Sequence, residues 1–260
     1  MSFTRIWAIF LRYFYYFLKL DSISEIFYWP TVDILLWGMT SIWIQKTQPN
    51  IPAIALVILT GLVFWQIIWR GNYEITVNIL QEFWNRNLVN LFSTPLKLIE
   101  WMTATMMVGF IKILITLGFS SLLVWLFYAL NIYQVGFAIL PYLGLLTCSG
   151  WILGFFTGAV MIYYGQRLQM LAWMTPFVFA PFSAVFYPVS VLPYWAQIIG
   201  KCLPMTYVFE GMRKVLEEGI FSYEYFWMSL VLNIIFLILS MLFFKLMFER
   251  SRNKGLSRLE

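Results

Sequence analysis

The sequence contains no histidine and only two cysteines among its 260 residues. An imidazole base and an imidazole metal ligand are therefore both absent. Cys148 and Cys202 lie far apart in different settings, so they build neither a disulfide framework nor a cysteine metal cluster. Charge is scarce as well: charged residues make up 11% of the chain, against about 25% in a soluble domain. Together with 62% apolar residues, that scarcity excludes a soluble globule and a disordered chain. No phosphate loop of the GxxxxGK[ST] type occurs, so no nucleotide site is visible. A signal peptide is not expected, because the first apolar stretch is bulky and aromatic and no small-residue cleavage site follows it.

What remains is the composition of an all-α integral membrane protein, with several segments long enough to span. A net charge of +5 then reflects basic residues on the cytoplasmic side rather than nucleic-acid binding. Residues 3–20 are apolar but carry Arg5, Arg12 and Lys19 at seven-residue spacing. On a helix these three fall within about 40° of one another, which predicts a helix lying in the membrane interface. Spans are predicted at about 26–44, 51–69, 107–127, 135–163, 171–187 and 226–246, with 45–50 as a turn ahead of Pro52. The third is ambiguous: its apolar run covers about 33 residues, or about 50 Å as a helix, well beyond a core of about 30 Å. Pro176 and Pro181 predict a kink in the fifth. Residues 71–97 are predicted to be cytoplasmic, and 188–223, divided by Pro188, Pro193 and Pro204, to form a hairpin of short helices outside.

Direction follows from the basic residues. With both termini inside, Arg5, Arg12, Lys19, Arg70, Arg86, Lys97, Arg167, Lys245, Arg250, Arg252, Lys254 and Arg258 are cytoplasmic. Lys46, Lys201, Arg213 and Lys214 are outside. This bias of about three to one supports an even number of spans.

Four polar or small-residue islands carry the functional reading. In 71–97, Leu80, Trp84, Leu88 and Leu91 recur at helical spacing, while Glu82, Asn85, Arg86 and Asn90 fill much of the other face. Such a helix either presses into a groove on a soluble partner or merely anchors the span ends. Gly150, Gly154 and Gly158 form a stripe for close helix approach, either ordinary packing or a contact that slides during gating. Asp33 and Lys112 are charges in apolar stretches, and a buried pair between them would lower their cost. Glu210 and Arg213 stand at i,i+3 on the outer hairpin, where Glu210 either pairs or faces a translocation path. Aromatics at 20% fit belts of Trp and Tyr at both interfaces, although rings lining a path for sugars or an amphipathic lipid are an alternative use.

The segment 82–96, EFWNRNLVNLFSTPL, resembles the cytoplasmic segment of the membrane subunit of ABC-2 type exporters: a glutamate, a leucine-bearing helix and a closing Thr/Ser-Pro-Leu. The segment 203–213, LPMTYVFEGMR, is similar to that family's Asn-Pro-Leu-Thr-x-x-x-Glu-x-x-Arg motif, matched at Pro204, Thr206, Glu210 and Arg213. Leu203 and Met205 depart from it, and Arg86–Asn87 stand where many members carry Gly-Thr. An interfacial first helix and six spans complete the resemblance, which covers nearly the whole chain.

The resemblance implies a six-helix permease domain of the ABC-2 (type V exporter-like) kind, with short extracellular re-entrant helices. It implies a transport subunit rather than an enzyme, placed in the cell membrane. Two such subunits, as a homodimer, would line one path above two copies of a cytosolic ABC ATPase. ATP and magnesium would sit on that ATPase, with no cofactor on this chain. Coupling would run through Glu82, Trp84, Arg86, Asn87, Leu88, Leu91, Thr94 and Pro95. The implied substrate is a glycan or lipid-linked polysaccharide, with drugs, antibiotics or other hydrophobic compounds as the alternative. An ion-coupled secondary transporter, needing no ATPase, is the reading from a different class.

Overall fold

The computed structural model describes residues 1–47 and 54–255, with the backbone alone at 20–22. The predicted turn beyond Thr47, Ile51, Pro52 and Arg258 lie outside the described residues. All regular structure among those residues is helical. In chain order the α-helices are α1 (Phe3–Phe17), α2 (Leu20–Thr47), α3 (Ile54–Trp84), α4 (Leu88–Ser93) and α5 (Leu98–Tyr128). They continue with α6 (Ile139–Tyr164), α7 (Leu171–Phe179), α8 (Tyr194–Cys202), α9 (Pro204–Glu218) and α10 (Tyr223–Asn253).

Among the described residues four helices are long and apolar enough to cross a membrane: α3, α5, α6 with the 3₁₀ turn before it, and α10. The chain is a multi-pass helical membrane protein. The predicted boundaries change at three places. The second span does not stop at Arg70: α3 continues to Trp84, so 71–84 is a largely buried continuation of that helix rather than a separate segment. The third span is one helix from Leu98, nine residues earlier than predicted, and at 31 residues it is about 46 Å long. The fifth is shorter than predicted, a nine-residue helix followed by a 3₁₀ turn at Ala180–Phe182. Polar residues misled the first of these boundaries, because Arg70, Asn72, Glu74, Asn78 and Glu82 read as solvent-facing although each is buried, whereas the second was drawn from the thickness of the hydrocarbon core, which the helix exceeds.

α3 is the axis of the bundle. Between Ala55 and Leu80 every residue except Ile58 and Trp69 is buried. In its most apolar 18-residue window 89% of residues are buried, against 17% for α10, which lies at the periphery of the bundle. Apolar side chains gather in two layers. One joins Phe64, Ile68, Tyr142 and Phe209 near the α8–α9 hairpin. The other joins Phe10, Leu80, Phe83, Leu88, Trp101 and Phe244 near α1 and α4.

The glycine stripe of α6 lies directly against α3. A Cβ at Gly150 would stand 2.7 Å from the Ile68 carbonyl oxygen and 3.0 Å from the Gly71 Cα. At Gly154 it would meet the Ile75 Cβ at 3.0 Å, and at Gly158 the tip of Ile79 at 2.6 Å. Gly71 answers Gly150 from the other helix, so the two backbones touch where both lack side chains.

The proline inside α7 is also accommodated by α3. Pro176 has no N–H, which leaves the carbonyl of Ala172, four residues earlier, without its helical donor. The buried Asn72 Nδ2 donates to that carbonyl at 2.8 Å. A polar residue deep in an apolar helix thereby satisfies a group that proline orphans in a neighbour.

Two sets of variants test this packing through thermal unfolding in detergent. Gly150→Ala meets fixed backbone and should destabilise by about 1–3 kcal/mol, Gly158→Ala should cost less because only a flexible tip must move, and Gly144→Ala, which meets nothing, should be neutral or stabilising. Asn72→Leu should cost about 1–3 kcal/mol, and much less in a Pro176→Ala background, where a backbone N–H is restored. Equal losses in both backgrounds would remove the carbonyl as the reason for Asn72.

Candidate functional site

The predicted coupling segment is divided between the end of α3, a turn and α4. α3 closes with a Schellman arrangement: the Asn87 N–H donates to the Glu82 carbonyl at 2.9 Å and the Arg86 N–H to that of Phe83 at 3.1 Å. Arg86 takes a left-handed conformation, φ 48°. This is the position where glycine is the ordinary residue, because it has no Cβ to strain. The departure at Arg86 thus falls on a backbone that a glycine would fit.

Glu82 is fully buried and is the hub of this end. Tyr13 Oη donates to it at 2.8 Å, Arg12 Nη2 at 2.9 Å and Asn87 Nδ2 at 2.7 Å. The Trp101 ring nitrogen donates to Tyr13 Oη at 2.6 Å. Burial, with the Glu82 carboxylate beside it, pushes the Tyr13 phenol well above its usual pKa, so it remains a neutral donor. A second hub is Glu100, in the first turn of α5. It accepts from the Ser2 N–H at 2.7 Å, Arg5 Nη2 at 2.8 Å and the Lys97 N–H at 3.0 Å.

α1 is therefore docked on the protein rather than resting only on lipid. Ile6, Phe10, Tyr13 and Phe17 are buried, while Phe3 and Tyr15 point out. The seven-residue spacing of Arg5 and Arg12 matches two carboxylates on two other helices.

Leu88 and Leu91 do not form an outer docking face. Both are buried in the layer with Phe83 and Trp101. Helical periodicity marks which residues share a face without saying whether that face meets a partner or the chain's own core. The face turned outward carries Trp84, Arg86, Val89, Asn90, Ser93, Thr94 and Pro95. Trp84 is half exposed, and its ring nitrogen lies 3.4 Å from Gln169 Oε1.

The intramembrane charges do not form an Asp33–Lys112 couple. Lys112 Nζ reaches Glu74 Oε2 at 2.6 Å, and Arg70 Nη1 lies 3.5 Å from Glu74 Oε1. The Phe17 ring, at the end of α1, stands 5.0 Å from Lys112 Nζ. Asp33 instead accepts from Gln66 Nε2 at 2.6 Å. Gln66 and Glu74 are eight residues apart on α3, or about 12 Å, so Asp33 and Lys112 occupy different levels of the bundle. Glu74, Glu100 and Tyr13 were missed in the sequence. Arg70–Glu74 at i,i+4 inside an apolar run, and Lys97-x-x-Glu100 at a helix start, were the available signals.

At the opposite end Glu210 and Arg213 are paired at 3.2 Å. Glu210 also accepts from the Val189 N–H at 2.7 Å, and Arg213 donates to the Ala184 carbonyl. Both therefore tie the strap at 183–193 to α9. Pro204 and Thr206 begin α9 as buried residues, and the Pro204 carbonyl accepts from Ser229 Oγ of α10 at 2.8 Å. Glu210, Arg213, Lys214, Glu217, Tyr187 and Tyr225 also face a cavity of about 610 Å³. Among the described residues, no group of three His, Cys, Asp or Glu side chains is placed to hold a metal.

No protein-family model matches the chain, and a search of curated proteins finds no relative.

The Glu74 pairing is open to a double-mutant cycle read by thermal unfolding. Lys112→Met should cost about 3–5 kcal/mol, because it strips a buried carboxylate of its closest cation. Adding Glu74→Gln should recover part of that loss, whereas adding Asp33→Asn should be additive. Recovery by Asp33→Asn in place of Glu74→Gln would overturn the assignment.

Proposed function

We propose that the chain is the membrane subunit of an ATP-driven ABC-2 type exporter, forming half of a translocation path energised by a separate cytosolic ATPase. One observation carries this reading. The short, outward-facing α4 at one end is joined through the Glu82 hub to α3, and α3 runs to the hairpin at the other end. There a Cβ at Gly61 would stand 2.5 Å from the Val185 carbonyl oxygen, so α3 and the hairpin strap are in close contact. A push on α4 would be passed along a packed helix to the strap.

In this reading the α1–α4 end is cytoplasmic. The described basic residues support that side, since Arg5, Arg12, Lys19, Arg86, Lys97, Arg167, Lys245, Arg250, Arg252 and Lys254 lie there. Arg70 no longer contributes, being buried beside Glu74. The six spans of the family would be the four long helices with α2 and the short α7. A second copy would complete the path, and the outer face of α2, with Tyr28, Val32, Leu36 and Met39 exposed, is the surface offered to it. The proposed cargo is a glycan or lipid-linked polysaccharide, with drugs or other hydrophobic compounds as the alternative.

The buried Arg70–Glu74–Lys112 group favours a second reading, an ion-coupled transporter, because intramembrane charges often serve ion pathways. Reconstitution separates the two: flux that needs a co-purifying ATPase and ATP supports the exporter, and flux driven by an ion gradient without nucleotide overturns it. The docking face is tested by mild-detergent affinity purification. Arg86→Glu with Asn90→Lys should abolish recovery of an ATP-hydrolysing partner while unfolding stays normal. Leu88→Asp should instead lower the yield of folded protein, since Leu88 is fully buried.

A further inference from the structure

A groove of about 560 Å³ opens between the start of α5 and the end of α10, beside α4. Its walls are apolar, with Ile99 and Met102 from α5 facing Met241 and Leu242 from α10. Its rim is basic, formed by Lys97, Lys245 and Arg252, all exposed. Lys245 and Arg252 are seven residues apart, two turns along one face of α10. Lys97 is anchored at its backbone by the Glu100 carboxylate, which leaves its ammonium to reach outward. Neither Lys97 nor Arg252 has a salt bridge among the described residues, and Glu249 lies 3.9 Å from Lys245, leaving the rim net positive.

The position of the groove in the bilayer follows from helix length. α10 has 31 residues, about 46 Å, and its apolar centre lies exposed on the outside of the bundle. Its uncharged run 225–244, bounded by Glu224 and Lys245, is about 30 Å long and fills a hydrocarbon core, which leaves Lys245 and Arg252 at head-group level. Met241 and Leu242 then lie one turn deeper, where acyl chains begin.

We propose that this groove binds an anionic glycerophospholipid. The phosphate head would be held by Lys97, Lys245 and Arg252, and the first part of an acyl chain would run between Ile99, Met102, Met241 and Leu242. The argument is charge complementarity at the head-group level over an apolar wall at chain level, which a basic pocket between membrane helices provides for acidic lipids. A bound lipid would brace α10 against the α4–α5 turn. The inference rests on membrane insertion alone and holds whether or not the chain works with an ATPase.

Native mass spectrometry of the full chain in detergent, titrated with phosphatidylglycerol or phosphatidylcholine, tests it. Phosphatidylglycerol should bind at least about tenfold more tightly, and Lys97→Gln/Lys245→Gln/Arg252→Gln should remove that preference. Lys97→Arg/Lys245→Arg should keep it, as should Lys46→Gln/Lys201→Gln/Lys214→Gln, which removes the same charge at the other end. Millimolar glycerol 3-phosphate should not displace the lipid. Equal affinity for the two lipids, an unchanged triple variant or displacement by the free phosphate ester would each overturn the proposal. So would a triple variant that loses a partner protein or a second copy while retaining the lipid preference.

Discussion

The structure depends on a polar helix placed where water is excluded. α3 runs through the middle of the bundle and carries Arg70, Asn72, Glu74 and Glu82 into an apolar interior. Each requires a partner, because an unpaired polar or charged group there costs several kcal/mol. The partners come from all round the helix: Lys112 from α5, the Ala172 carbonyl from α7, and Arg12 and Tyr13 from α1. These demands orient the neighbouring helices in a way that apolar packing, which is similar against lipid and against protein, does not.

The two ends of the molecule are built differently from the same materials. At the α1–α4 end, buried carboxylates collect donors from several helices and close the chain into a rigid corner. At the hairpin end the paired Glu210 and Arg213 of α9 hold the strap through the Val189 N–H and the Ala184 carbonyl, and Ser229 of α10 holds the start of α9 through the Pro204 carbonyl. Between them the Gly150–Gly71 contact lets α3 and α6 approach backbone to backbone.

Much of this was legible in the sequence because it is written in local pattern. The amphipathic stripe of α1, the proline breaks around the hairpin and the small-residue stripe of α6 all recur at helical spacing. The boundary at Arg70 was not legible, since charge in a sequence signals solvent, and burial reverses that only when a partner is present. Leu88 and Leu91 show the same limit from the apolar side: their spacing defines a face, and only the fold decides that the face turns inward.

Composition and periodicity by themselves determined that this chain is helical, multi-pass and membrane-embedded, because the free energy of burying so many apolar residues leaves no other class. Tertiary structure alone decided which charges meet. Glu74 and Lys112 are 38 residues apart and Arg5 and Glu100 are 95 apart. A residue's type states that it needs a partner, but the identity of that partner depends on helix register and crossing, which arise only when the helices pack.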